Sequence, residues 1–95
     1  MPNPVTHFEV LGQDTAGLQR FYGEAFGWDL QDVMDGNYYM VNTGGAIAGG
    51  VGSAMGREGH VTFYVEVDDP AAALDKISQL GGKTVQEPMD VPGGP

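Results

Sequence analysis

Residues 28–59 read WDLQDVMDGNYYMVNTGGAIAGGVGSAMGREG, and the number of strands in this stretch decides the fold. Trp28 to Met34 and Asn37 to Thr43 are rich in aromatic and branched residues. Asp35-Gly36 lies between them, a dipeptide that supplies positive φ in a tight hairpin turn. Gly44-Gly45 then turns the chain into Ala46 to Val51, a third, glycine-rich strand. The loop Gly52 to Gly59 closes the stretch.

On either side lies a strand followed by a helix. Val5 to Leu11 alternates, with Val5, His7, Glu9 and Leu11 on one face and Thr6, Phe8 and Val10 on the other. Asp14-Thr15 offers a helix N-cap, Leu18, Phe21, Tyr22, Ala25 and Phe26 recur at helical spacing as a core-facing stripe, and Gly27 suits the C-cap. After the stretch, from His60, Thr62, Tyr64 and Glu66 alternate with Phe63, Val65 and Val67. Asp69-Pro70 supplies a cap and first-turn proline, and Leu74, Ile77 and Leu80 precede Gly81-Gly82. Lys83 to Val91 reads as a last strand. His7 stands seven residues before Asp14 and Thr62 seven before Asp69, so the pattern repeats at about 55 residues.

The chain thus reads as α+β, with tandem β-α-β-β-β units: unit one over about 4–55, and unit two over about 60–95 and incomplete, since a full copy would run to about residue 114. A ferredoxin-like sandwich also alternates strands with two helices, but it places only a hairpin between them. The third strand-like run favours the tandem unit.

Ninety-five residues suit one small domain. Four Lys+Arg against thirteen Asp+Glu give a net charge of −9, which disfavours nucleic acid and anionic membrane as partners. There is no Cys, so a metal would need His, carboxylate or Tyr ligands. Met1-Pro2-Asn3-Pro4 lacks the features of a secretory signal, and no apolar run approaches the ~20 residues of a membrane span, so a cytoplasmic location is expected.

These landmarks resemble the vicinal oxygen chelate superfamily, which groups glyoxalase I, bleomycin-resistance proteins and extradiol dioxygenases. The resemblance rests on His7-Phe8-Glu9-Val10, Asp14, Phe21-Tyr22 ahead of Phe26-Gly27-Trp28, and Val65-Glu66-Val67-Asp68-Asp69. Leu80-Gly81-Gly82 and Pro88-Met89-Asp90-Val91-Pro92-Gly93 complete it. It implies a half-open barrel with helices outside and a ligand or metal in the cleft.

In metal-dependent members the ligands come from the first and last strands of each unit, commonly as His, Gln or Glu. His7 matches the first such position. The second falls on Thr62, a poor ligand, and His60 on the same face is displaced by ~6.7 Å of extended chain. The third would lie within Ala46 to Val51, yet no Asp, Glu or His occurs between Asp35 and Glu58. The fourth would lie beyond Pro95. His7 alone is left of the set, where a catalytic metal takes three or more protein ligands.

Glu9, Tyr64 and Glu66 share cleft-facing parity with His7 and Thr62, although a solvated strand face has the same pattern. A His7/Glu9 pair at i and i+2 could orient the imidazole for general-base work. Trp28, Tyr38 and Tyr39 are candidates for an aromatic pocket, while alternation does not assign Tyr38 and Tyr39 to faces because both faces of their strand are apolar. Gly49-Gly50 has no phosphate-loop context.

The expectation is a small-molecule binding protein of the bleomycin-resistance type, without the metal centre or other cofactor, with His7, Glu9, Trp28, Tyr39, Thr62, Tyr64 and Glu66 as cleft candidates. The alternatives are a metal-dependent lyase, isomerase or dioxygenase whose divalent metal is completed by a further C-terminal segment, and an interaction module with no small ligand. Apolar sheet edges left uncovered by an incomplete second unit predict a homodimer or a longer natural chain.

Overall fold

The computed structural model describes residues 2–86. In chain order the elements are β1 (Val5–Gly12), α1 (Thr15–Phe26), β2 (Asp29–Asp32), β3 (Tyr38–Asn42), β4 (Ala48–Ser53), β5 (His60–Val65) and α2 (Pro70–Gln79). The strands form one mixed sheet in the order β2-β3-β4-β1-β5. β1 runs parallel to β4 and antiparallel to β5, and β2-β3-β4 form an antiparallel meander. Three strands separate α1 from β5, as residues 28–59 predict.

Both helices begin on the expected caps. The Asp14 carboxylate accepts from the Gly17 N–H at 2.9 Å, and that of Asp69 from the Ala72 N–H at 3.2 Å, satisfying donors that the first turn leaves open. Gly27 ends α1 in the left-handed region with φ 69°, and its N–H donates to the Gly23 carbonyl. The β2-β3 turn has positive φ at Asp35 and Gly36, and Asp32 Oδ1 braces it by accepting from the Met34 and Gly36 N–H groups at 3.1 and 2.8 Å. The Thr15 hydroxyl donates to the Gly36 carbonyl at 2.7 Å, tying the start of α1 to this turn.

The core lies between α1 and the sheet. Val10, Val41 and Val51 are buried at its centre, with Phe8, Leu18, Tyr22, Trp28, Leu30 and Tyr39 packed around them. Trp28 stacks on Tyr22 with ring centroids 5.5 Å apart and planes 9° apart, and it also meets Phe8 and Phe26.

The structure corrects several boundaries. Trp28 lies outside β2, used as a packing ring, and Ala46 and Ile47 precede β4 in a loop where the Thr43 hydroxyl donates to the Ile47 carbonyl. Leu18 and Tyr22, four apart, face the sheet. Phe21 and Phe26 flank that line and are exposed, so only part of the expected stripe is core. Residues 83–86 form no strand, and the rest of the predicted Lys83 to Val91 strand lies outside the described residues. Among the described residues no helix is long and apolar enough to cross a membrane.

Removing the α1 cap tests the local account. Asp14→Ala is expected to lower the urea midpoint with an unchanged m-value, corresponding to about 1 kcal/mol.

Candidate functional site

The pleat sorts side chains to the two sides of the sheet. Phe8, Val10, Tyr39, Val41 and Val51 turn toward α1. The register places Gly50 and Thr62 on either side of Glu9, Ala48 and Tyr64 on either side of His7, and Gly52 beside Tyr38. The face away from α1 therefore gathers His7, Glu9, Tyr38, Thr62 and Tyr64 from three strands.

Tyr38 and Glu9 are on strands separated by β4, and the phenol reaches the carboxylate by lying across that strand. A Cβ on Gly50 would overlap the Tyr38 hydroxyl, and one on Gly52 would come 2.5 Å from its Cδ1. On the α1 side a Cβ on Gly49 would overlap the Phe8 ring. Glycine here provides close approach of an aromatic ring to the backbone.

Both carboxylate oxygens of Glu9 are engaged. The Tyr38 hydroxyl donates to Oε2 at 2.9 Å and the Tyr64 hydroxyl to Oε1 at 2.8 Å. His7 Nε2 is 3.3 Å from the Tyr38 oxygen, and its ring meets Tyr64 edge-on with centroids 5.4 Å apart. Because the Tyr38 proton points to Glu9, its oxygen is the acceptor toward His7, which assigns the imidazole proton to Nε2. Burial, then the hydrogen bond to Glu9 and its charge, push the Tyr64 phenol up to about 12. The same causes, with Tyr64 adding to them, raise Tyr38 well above the usual phenol value. Both phenols therefore remain donors at neutral pH.

Of the cleft candidates, His7, Glu9, Thr62 and Tyr64 come together. Trp28 and Tyr39 do not: Trp28 is stacked with Tyr22, and Tyr39 pairs with Val51 on the α1 side. Glu66 lies one residue past β5, exposed, with its backbone N–H donating to the Pro4 carbonyl at 2.9 Å. His60 is exposed opposite Leu11, its Nδ1 3.1 Å from the Glu58 carbonyl oxygen. Tyr38, expected only as one wall of an aromatic pocket, joins the network through its hydroxyl, a role that sequence reasoning does not assign. Its signal was the Gly50-x-Gly52 spacing, which clears one face of a strand beside an aromatic. The expected His7/Glu9 pairing is indirect, with Tyr38 between the two.

A divalent metal does not fit the described residues of this face. Its centre would need further ligands around His7, but the register supplies Ala48, Tyr64, Gly50 and Thr62. The Tyr38 phenol lies over the β4 positions from which a third ligand would project. Among the described residues no group of three or more His, Cys, Asp or Glu could hold a metal ion.

A sheet backed by a helix on one side, with a polar cluster spanning the other, defines an α+β protein with one open, functionalised sheet face. The model of the Glyoxalase/Bleomycin resistance protein/Dioxygenase superfamily matches residues 5–95, and the chain belongs to that superfamily. The five-stranded sheet with its two helices is consistent with half of a glyoxalase-like barrel. No curated protein matches the chain.

Two measurements test this geometry. Gly50→Ala is expected to displace Tyr38 from Glu9 and to cost about 1–3 kcal/mol in chemical denaturation. In alkali, the folded chain holds the Tyr64 proton to about 12 against the ordinary 10.0. It therefore binds more protons than the unfolded chain in that window. This contribution to stability is complete below pH 10.0 and is lost as pH rises through about 12. Phenolate absorbance should show the late step in the wild type, and Glu9→Gln should move it toward the ordinary phenol range.

Proposed function

We propose that this chain binds a small organic molecule on the sheet face carrying His7, Glu9, Tyr38 and Tyr64, without the metal centre of its metal-dependent relatives. The observation that carries the reading is the Tyr38-Glu9-Tyr64 network, built across a glycine-cleared strand at the position where a metal ligand set would otherwise assemble. Tyr64 is 46% exposed and Met40 43% exposed, so the face presents an aromatic and a thioether to an incoming ligand around a half-buried polar centre. Beside the network, and lined by none of its residues, a shallow depression of about 350 Å³ opens on the same face between Asp29, Gln31, Met40, Asn42 and Ala48. Its volume falls within the range of small-molecule sites.

A thermal-shift screen of aromatic and heteroaromatic compounds tests the reading. Hits whose stabilisation is lost in Tyr64→Ala support it, and hits unaffected by that substitution contradict it. Elemental analysis of the gently purified protein addresses the metal. Stoichiometric Ni, Zn, Mn or Fe would overturn the metal-free reading in favour of a lyase, isomerase or dioxygenase.

We also propose a homodimer. Val61 and Phe63 on the α1-facing side of edge strand β5 are 70% and 64% exposed, and α2 buries none of its residues. A second copy covering this surface would remove both apolar exposures. Sedimentation should give a dimer for the wild type and a shift toward monomer for Phe63→Glu; a monomeric wild type at high protein concentration would sink the idea.

A further inference from the structure

We infer that the site on this face selects organic cations carrying N–H donors, such as protonated amines and amidines, and rejects carboxylates of the same shape. The inference rests on the small-molecule reading above and comes from following each proton. The Tyr38 and Tyr64 hydroxyl protons are both spent on Glu9. With the Tyr38 proton on Glu9, His7 Nε2, 3.3 Å from the Tyr38 oxygen, takes the donor role. What remains toward an incoming molecule is acceptor capacity: free lone pairs on the Glu9 oxygens, the Tyr64 oxygen and, in neutral imidazole, Nδ1. The Thr62 hydroxyl, opposite Glu9, can rotate to donate or accept. A ligand must therefore bring the donors.

Charge points the same way. Glu9 is half-buried, and its partners are phenols rather than cations. The four basic residues, Arg20, Arg57, Lys76 and Lys83, all lie off the strands, on helices or in connecting segments. An anionic ligand would meet a carboxylate with no compensating cation on the sheet and would lose its hydration in doing so. A cation would form charge-assisted hydrogen bonds to Glu9 with the half-exposed Tyr64 ring beside it. The network also holds Glu9 in one place before the ligand arrives, which lowers the ordering cost of binding.

Three probes of one shape separate the terms: benzamidinium, neutral benzamide and benzoate, titrated into the full chain and followed by amide chemical shifts. Benzamidinium is expected to perturb residues 7–9, 38 and 62–64, with affinity about tenfold or more above benzamide and with benzoate weakest. Glu9→Gln, which keeps the side-chain shape but removes the charge, should bring the benzamidinium-to-benzamide affinity ratio down to about one. If benzamide or benzoate binds these residues as tightly as benzamidinium, the cation preference is wrong and the small-molecule site survives. If benzamidinium instead perturbs dispersed acidic residues and Glu9→Gln changes nothing, its binding is general attraction to a net charge of −9, and the inference fails. If none of the three perturbs the face at millimolar concentration, the inference fails together with the binding of such ligands there.

Discussion

Strand β4 has aromatic rings brought close against both of its faces because Gly49, Gly50 and Gly52 have no Cβ. Phe8 uses the space on the α1 side and Tyr38 the space on the other. Glycine within a strand is unfavourable, by roughly 0.5–1 kcal/mol relative to Ala, since it gives up more chain entropy and packs no side chain. The aromatic area brought down onto the backbone offsets that cost. Gly49, Gly50, Val51 and Gly52 are all buried, so this side-chain-poor strand is the most enclosed part of the sheet. Moving either ring away would uncover it.

The same device connects the two faces. Phe8 and Glu9 are neighbours on β1, pleated to opposite sides. Phe8 packs against Trp28 beneath α1, while Glu9 receives two phenols on the open side. Thr15 and Gly36 add a second link, holding the start of α1 to the β2-β3 turn two residues before Tyr38. The helix, the turn and the network are therefore positioned by one connected set of contacts. This explains how a half-exposed cluster keeps short hydrogen bonds without a deep pocket.

How far the sequence could be read follows from the range of the interactions involved. Caps, turns and strand alternation are local, and Asp14, Asp69, Asp35-Gly36 and the parity of His7, Glu9, Thr62 and Tyr64 were all legible from them. The face of Tyr38 was not, because Tyr38-Tyr39-Met40-Val41 carries no polar alternation. Its assignment depends on which neighbouring strand clears space for a ring, a property of β4 and of the register between strands. Residue type alone points Trp28 and Tyr39 toward the site, whereas the structure spends both on the core. Glu66 had the right parity, but β5 ends at Val65 and the pairing with β1 shifts between Val5 and His7, so alternation stops carrying information there.

The polarity of the network bears on what the site can do. A proton shuttle needs neighbours that exchange roles at nearly equal cost, and here the costs are far apart. The phenols keep their protons well above neutral pH, while the carboxylate between them offers only acceptors. His7 is at the end of this chain with its Nε2 proton already directed inward, separated from Glu9 by Tyr38. Direct orientation of the imidazole by the carboxylate, as in a paired general base, is thus replaced by a fixed line of donors converging on one anion. Such an arrangement holds a charge in place and shapes what can approach it.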